Sequence, residues 1–365
     1  MKILHITHLD ERFQPRIVKS NAFFFEKGYQ YSTLLLRHSS SLLNRLDNFI
    51  FKTLGISLVF VVALFRSNNF ANSDVVIVHD IWLFPSAYFV KYLKKSEIKL
   101  ILDMHEVMHL ANRFYAKENL SISHILRPIW KTKMIEKLSL NWCSSVSVVS
   151  EEMKDKLVTT YGSWFLNKCS VIENLEYDKN FPFEFRKSLP IIINYTGGFS
   201  PHRGLIELME SLKEIGEIDP MFLRNFHFVF VGAKNNSYCN KLKKAVLENG
   251  LLDIVTIEDW VNEVSPAYLK QFDAGIIPHI KSEHTNSTTP HKLYTYINKG
   301  LPVIATQTNS FIRLQEKYPD WIYTYDKSTQ LYKVLEQIKE IKDIEGPRPP
   351  IWVEGNSASM IKLLS

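Results

Sequence analysis

Two segments of this 365-residue chain set hydroxyls, glycines and cations just ahead of helix-like runs. The first is Tyr195-Thr-Gly-Gly-Phe-Ser-Pro-His-Arg-Gly204. Its Gly197 and Gly198 let the backbone come close to a ligand. Arg203 stands where a helix begins, with Leu205, Leu208 and Met209 on the buried side. The second is Ser287-Thr-Thr-Pro-His-Lys-Leu-Tyr-Thr-Tyr-Ile297, followed by Gly300-Leu-Pro-Val-Ile304. A helix N-terminus holds phosphate well, because its unsatisfied N–H groups and the macrodipole both favour negative charge. Two such loops in one half of a chain point to a nucleoside-diphosphate ligand. Read separately they are weaker: a glycine-rich strand-to-helix turn with a solvated Arg203, and a surface Lys292 on a first helical turn.

The other half carries His79-Asp80 and Asp103-Met-His-Glu106, each after a strand-like run. Side chains at the carboxyl ends of parallel strands line the ligand crevice of open α/β sheets. His105-Glu-Val-Met-His109 also matches HExxH, a spacing that sets two imidazoles one helical turn apart for zinc, with Glu106 as base. Its context is wrong for that chemistry. The lead-in Ile98–Asp103 is strand-like, and Asn112 and Tyr115 stand where the extended zinc motif requires glycine and histidine. Glu136 is a remote candidate ligand, but Leu140 stands where a supporting aspartate is needed. No metal site is expected.

Strands and helices must alternate to position these groups. Strand-like runs are Lys2–Thr7, Tyr31–Leu36, Val75–Val78, Lys99–Asp103 and Ser145–Val149, then Ile191–Tyr195, His227–Val231, Val255–Ile257, Ala274–Ile277 and Pro302–Thr306. Helix-length patterns between them read as parallel sheets with crossover helices. Pro182 and Pro190 interrupt the pattern and predict a boundary near residue 180. The expectation is residues 1–180 as one Rossmann-like domain, 181–345 as a second, and 346–365 as a tail with a short helical end. The first glycine is Gly28, so no GxGxxG turn follows the first strand, and no GxxxxGK[ST] loop occurs. Both absences exclude the usual dinucleotide and P-loop fingerprints.

Composition is that of a folded protein, with 45% hydrophobic and 22% charged residues. The net charge of +6 is spread without a Lys/Arg block, so nucleic acid is not an expected partner. Cys143, Cys169 and Cys239 form no CxxC pair, which fits a reducing cytoplasm. The apolar run Leu54–Phe65 is short of the roughly 20 residues of a membrane span. It reads as a buried core helix or as a helix touching a membrane. Residues 120–140 set Ile122, Leu126, Ile129, Met134 and Leu138 among Arg127, Lys131, Lys133 and Lys137. That pattern suits either an anionic membrane surface or a solvated domain face.

The order of motifs resembles the retaining GT-B glycosyltransferases of family 4, the glycosyl transferases of group 1. Ser287 to Ile304 is similar to the family's Ser/Thr-x-Pro-x-Lys-Leu-Phe-Glu-Tyr-Met-x-x-Gly-x-Pro-Val-Ile, and Arg203-Gly204 to the second half of its GR(x)nKG loop. Val231-Gly-Ala233, Trp260-Val-Asn-Glu263, Asp103-Met-His-Glu106, Ser147-Val-Val-Ser-Glu-Glu152 and Val171-Ile-Glu-Asn174 resemble further landmarks, so the likeness spans most of the chain.

The resemblance implies an α/β GT-B fold, two Rossmann-like doubly wound domains facing each other across a cleft, with the tail 346–365 returning to the first domain. It implies transfer of a sugar from a UDP- or GDP-sugar to a polysaccharide, glycan or lipid-linked acceptor, with no cofactor and no metal required. His105, Arg203 and Lys292 become the catalytic candidates. Gly197, Gly198, Arg203, Gly232, Val261, Ser287, Thr288, Thr289, Lys292, Leu293 and Thr295 become the donor-binding ones. Three positions depart from the family: Gly198 replaces an arginine, and Ser287 and Thr295 replace glutamates that hold the donor sugar and the ribose. Lys292 is expected to supply the charge absent at Gly198. A catalytically degenerate GT-B protein that binds nucleotide sugar or a partner enzyme is the alternative. The expected location is the cytoplasm, at the inner face of the membrane through peripheral contact.

Overall fold

A computed structural model describes residues 1–8, 15–36, 47–52, 56–118, 128–178, 181–182, 189–233, 237–260 and 266–365. The chain forms two compact units, Met1–Asn174 with Trp352–Ser365, and Leu175–Ile351. Each is built on a six-stranded parallel sheet.

In the first unit the strands are β1 (Lys2–Thr7), β2 (Gln30–Leu35), β3 (Val75–Val78), β4 (Lys99–Met104), β5 (Ser145–Val148) and β6 (Cys169–Val171), in the order β2-β1-β3-β4-β5-β6. Parallel sheets are covered on both faces, so their central strands read as unbroken apolar runs rather than alternations. Strand β3, VVIV, is buried at every position for that reason. Leu4, Val76, Leu100 and Val146 stack into one core with Phe60, Leu64 and Phe84 from the helices.

In the second unit β7 (Ile191–Thr196), β8 (Phe226–Ala233), β9 (Val255–Asp259), β10 (Ala274–Ile277), β11 (Val303–Thr306) and β12 (Ile322–Tyr325) run in the order β12-β11-β10-β7-β8-β9. This is the doubly wound pattern. Strand order reverses between β7 and β10 here, and between β1 and β3 in the first unit, and those reversals open ligand crevices at the carboxyl ends of the strands.

Strands β6 and β12 escape a reading by pattern. Both are edge strands, three and four residues long, too short for an apolar period to register. The division also falls after Asn174 rather than at 180. Hydrogen bonding explains why: Asn298 Nδ2 donates to Asp178 O at 2.9 Å, and Phe181 N donates to Asn298 O at 2.7 Å. These bonds tie the connecting segment to the second unit despite the prolines that follow. The closing helix Trp352–Leu364 belongs to the first unit. Trp352 packs on Phe23 at 5.7 Å between ring centroids, and Asn356 exchanges hydrogen bonds with the Glu173 backbone at 2.9 and 3.0 Å.

The apolar run Leu54–Phe65 yields a nine-residue helix, Leu58–Arg66, that buries Phe60, Val61 and Leu64. Leu58, Val62 and Phe65 face outward, with 60, 47 and 49% of their surface exposed. Among the described residues no helix is long and apolar enough to cross a membrane. Of the basic amphipathic pattern, Ile122, Leu126 and Arg127 lie outside the described residues. The remainder forms the helix Ile129–Trp142, where Lys131 is buried and donates to Lys52 O at 2.6 Å.

Candidate functional site

In the second unit the crevice residues come from three loops at the carboxyl end of the sheet, those that follow β7, β8 and β10. After β7, Gly197 adopts φ +149°, and a side chain there would meet Lys292 Nζ at 2.7 Å. Gly232, at the end of β8 with φ +135°, lies so close that an added Cβ would fall 2.1 Å from Gly197 O. Gly204 has φ +66°, and a Cβ there would strike Pro278 O at 1.8 Å. Gly232 and Gly204 let separate loops pack backbone against backbone, and Gly197 leaves room for the Lys292 ammonium, at positions where any other residue would be strained or excluded. Gly198 differs, since nothing lies within 4 Å of its Cβ position.

Arg203 closes the short turn Pro201–Arg203 ahead of the helix Leu205–Ile218. Its Nη1 donates to His279 Nε2 at 2.9 Å, across the strand reversal. Lys292 lies in the first turn of the helix His291–Asn298, whose N-terminus has no side-chain cap. Its Nζ is buried with no hydrogen-bond partner, 3.8 Å from the Tyr195 ring centroid. Tyr195 is itself pinned by donating to Gly198 O at 3.0 Å.

The electrostatics follow from this burial. Lys292 is pushed well below its ordinary range by desolvation and then by Arg203. Burial and the same cations lower His279 strongly, His202 to about 3 and His284 to about 4. Arg203 acts on all four groups, and Lys292 adds to it at His202 and His279. Burial thus holds Lys292 and the three imidazoles toward their neutral forms around the Arg203 charge, and an anion bound there would favour their protonation.

The other donor-side candidates take varied roles. Ser287 is buried and donates to His284 O at 2.9 Å, and Thr288 donates to the same oxygen at 3.3 Å. Thr289 is buried beside them. Leu293 is fully buried and its N–H bonds Pro290 O at 3.2 Å, so it anchors the helix rather than facing a ligand. Thr295 donates to Glu176 Oε1 at 2.5 Å. Val261 lies outside the described residues.

In the first unit a pocket of about 320 Å³ opens at the ends of β3 and β4, lined by His8, His79, Asp80, Asp103, His105 and Glu106 among others. Asp103 is its charged centre. Arg16 grips it with two bonds, Nε to Oδ2 at 3.1 Å and Nη2 to Oδ1 at 2.6 Å. His79 Nδ1 and His105 Nε2 each lie 2.9 Å from Oδ2, and Ser147 Oγ donates to Oδ1 at 2.5 Å. His5 Nδ1 stands 2.7 Å behind His79 Nε2. Burial alone would raise the Asp103 carboxyl, but Arg16 and then His105 hold it well below the usual carboxylate range. The result is a fixed anion that orients two imidazoles, of which His105 is the accessible one.

The HExxH spacing builds no shared ligand pair. His105 and Glu106 sit in a bend after β4, whereas His109 lies within the helix Met108–Glu118. His109 is buried with Nδ1 2.6 Å from Glu136 Oε2, so the two histidines serve different carboxylates. Among the described residues, the cluster with ligand atoms close enough for an ion is His79, Asp103 and His105. There the Arg16 guanidinium already neutralises the carboxylate.

Reasoning from residues alone missed Arg16, His202, His279, His284 and Glu176. His279 was findable, because it follows β10 directly at the carboxyl edge. Arg16 and Glu176 carry no such signal, since a cation opening a helix and an acid in a connecting segment read as solvated charges.

Residues 190–338 match the family of glycosyl transferases group 1. No curated protein sequence matches the chain significantly. Sucrose-phosphate synthase from Thermosynechococcus elongatus is similar in structure, with a TM-score of 0.65 at 14% identity, over 93% of this chain and 89% of that one. The lipopolysaccharide outer core galactosyltransferase WaaB is similar over 99% of both chains, at 14% identity and TM-score 0.63. HepE of Anabaena in complex with UDP and glucose gives 0.62 at 10% identity, over 100% of this chain and 93% of that one. At such identities the likeness is one of fold.

Proposed function

We propose that this GT-B chain, with its group 1 glycosyl transferase region at residues 190–338, moves a sugar from a nucleoside-diphosphate sugar to an acceptor. The acceptor we assign is a cell-surface polysaccharide or glycolipid, with the anomeric configuration retained. One observation carries the reading: Arg203 and a buried, unbonded Lys292 Nζ share one crevice with His202, His279 and His284. When the glycosidic bond breaks, negative charge accumulates on the departing diphosphate. Donors held in place in a dry crevice stabilise that charge without reorganising at the moment of reaction. Gly197 and Gly232 support this by letting backbone N–H groups approach the phosphates.

The donor is a UDP- or GDP-sugar in this proposal, and no metal is assigned a role. His105, oriented by Asp103, contacts the donor sugar or the acceptor. We place the protein in the cytoplasm at the inner membrane face, in keeping with the exposed apolar side chains of the helix Leu58–Arg66.

The test is calorimetry and thermal shift in EDTA with UDP, GDP, ADP, CMP and NAD. Selective binding of one nucleoside diphosphate is the expected result. Indifference to all five would remove the reading. A second reading rests on Gly198, Ser287 and Thr295, which lack the charge their family counterparts carry. In that version the chain binds nucleotide sugar, or a partner enzyme, without turnover. Release of nucleoside diphosphate from a sugar donor by pure protein decides against it.

A further inference from the structure

A nucleoside diphosphate presents a pair of ribose hydroxyls close to its charged diphosphate. A carboxylate suits such a pair, because its two oxygens accept both hydroxyls at once. The helix His291–Asn298 carries the candidate phosphate cation Lys292 in its first turn, and Thr295 lies three residues further along the same helix. Thr295 is neutral and offers a single oxygen. A carboxylate nevertheless stands at this place, supplied by another part of the chain. Thr295 Oγ1 donates to Glu176 Oε1 at 2.5 Å, and His291 Nε2 lies 3.4 Å from the same oxygen. Glu176 is 16% exposed, held between two side chains of the helix yet open at its edge.

We propose that Glu176 binds the ribose hydroxyls of the donor nucleotide, a carboxylate relocated from the helix to the segment that follows β6. This deepens the donor reading and rests on it. Thr295 and His291 then act as positioning residues, which fix one carboxylate oxygen and aim the group at the sugar. The bland competitor is a tether, in which Glu176 only fastens the connecting segment to the helix. The two differ in one readable way: a tether is indifferent to the sugar of the nucleotide.

The experiment measures affinities for UDP and 2′-deoxy-UDP, and for GDP and 2′-deoxy-GDP, on the full chain. A hydroxyl bonded to a charged group is expected to favour the ribonucleotide by roughly ten- to hundredfold. Glu176→Ala should erase that preference, leaving both forms bound at the deoxy level. Adding Thr295→Glu to Glu176→Ala should restore it, since the carboxylate returns from the helix itself. Should Glu176→Ala fail to fold, Glu176→Gln keeps the shape and should lose most of the preference. A preference that survives in the variants, or an equal loss for ribo and deoxy forms, overturns the assignment while leaving the donor reading intact. Failure of the unaltered protein to bind any of the four nucleotides overturns both together.

Discussion

Gly198 and Lys292 are where charge and space in the crevice disagree with each other. The position before Phe199 is open, and Gly198 does not adopt a positive φ. An arginine therefore fits there without strain and would add a second fork for phosphate. Gly198→Arg is expected to tighten nucleoside-diphosphate binding by about tenfold in calorimetry, as one added charge-assisted hydrogen bond predicts. Unchanged affinity would place the phosphates elsewhere. The histidines make a further prediction. His202 and His284 titrate near 6.5 when unfolded but fall to about 3 and about 4 when folded, and His279 is lowered with them. Between those values the unfolded chain holds more protons, so stability falls as pH drops from 6.5 toward 4. Each group steepens the fall by about 1.4 kcal/mol per pH unit at most. His284→Asn should flatten the decline in Tm between pH 7 and pH 5, and an unaltered slope would contradict the buried geometry.

At the level of elements, the first unit is fastened by a buried cluster rather than by apolar contact alone. Glu136 on the helix Ile129–Trp142 is fully buried, with His109 2.6 Å away on the helix Met108–Glu118. Tyr161, at the end of the helix Glu151–Tyr161, donates to the same oxygen at 2.5 Å. Three helices thus meet on one carboxylate. Removing one partner of a buried hydrogen bond strands the other, which costs about 1–3 kcal/mol. His109→Ala is expected to destabilise the protein by that order in a denaturant titration, with nucleotide affinity unchanged. Loss of nucleotide binding without loss of stability would instead return His109 to an active role. The HExxH spacing is then a coincidence of two structural assignments on adjacent elements.

At the scale of the whole molecule, one face of the first unit stays apolar. Leu58, Val62 and Phe65 are exposed on one helix, and Tyr92 and Leu93 on the packed helix Phe84–Leu93. Lys94 Nζ sits 4.9 Å from the Phe65 ring, and Arg66 and Lys91 lie nearby in sequence. Apolar side chains rimmed by cations suit an anionic lipid surface. Val62→Asp with Phe65→Asp should reduce co-sedimentation with phosphatidylglycerol vesicles by about tenfold or more and leave nucleotide affinity alone. Equal binding by both proteins would exclude this face as the contact.

How much was legible depended on whether a property is local. The order of strands and helices was readable because parallel sheets demand unbroken apolar runs such as VVIV at β3, and a run is a property of neighbours in sequence. The places of Gly197, Arg203 and Lys292 at a strand end or a helix start were readable for the same reason. The partners of those residues were not. His279 meets Arg203 from 76 positions away, Glu176 meets Thr295 from 119, and Arg16 reaches Asp103 from 87. Sequence by itself determined that this chain would fold as two doubly wound units and where each would expose its loops. Only the tertiary structure decided which charges meet, because a buried ion takes its partner from whatever the packed sheets bring within about 3 Å of it.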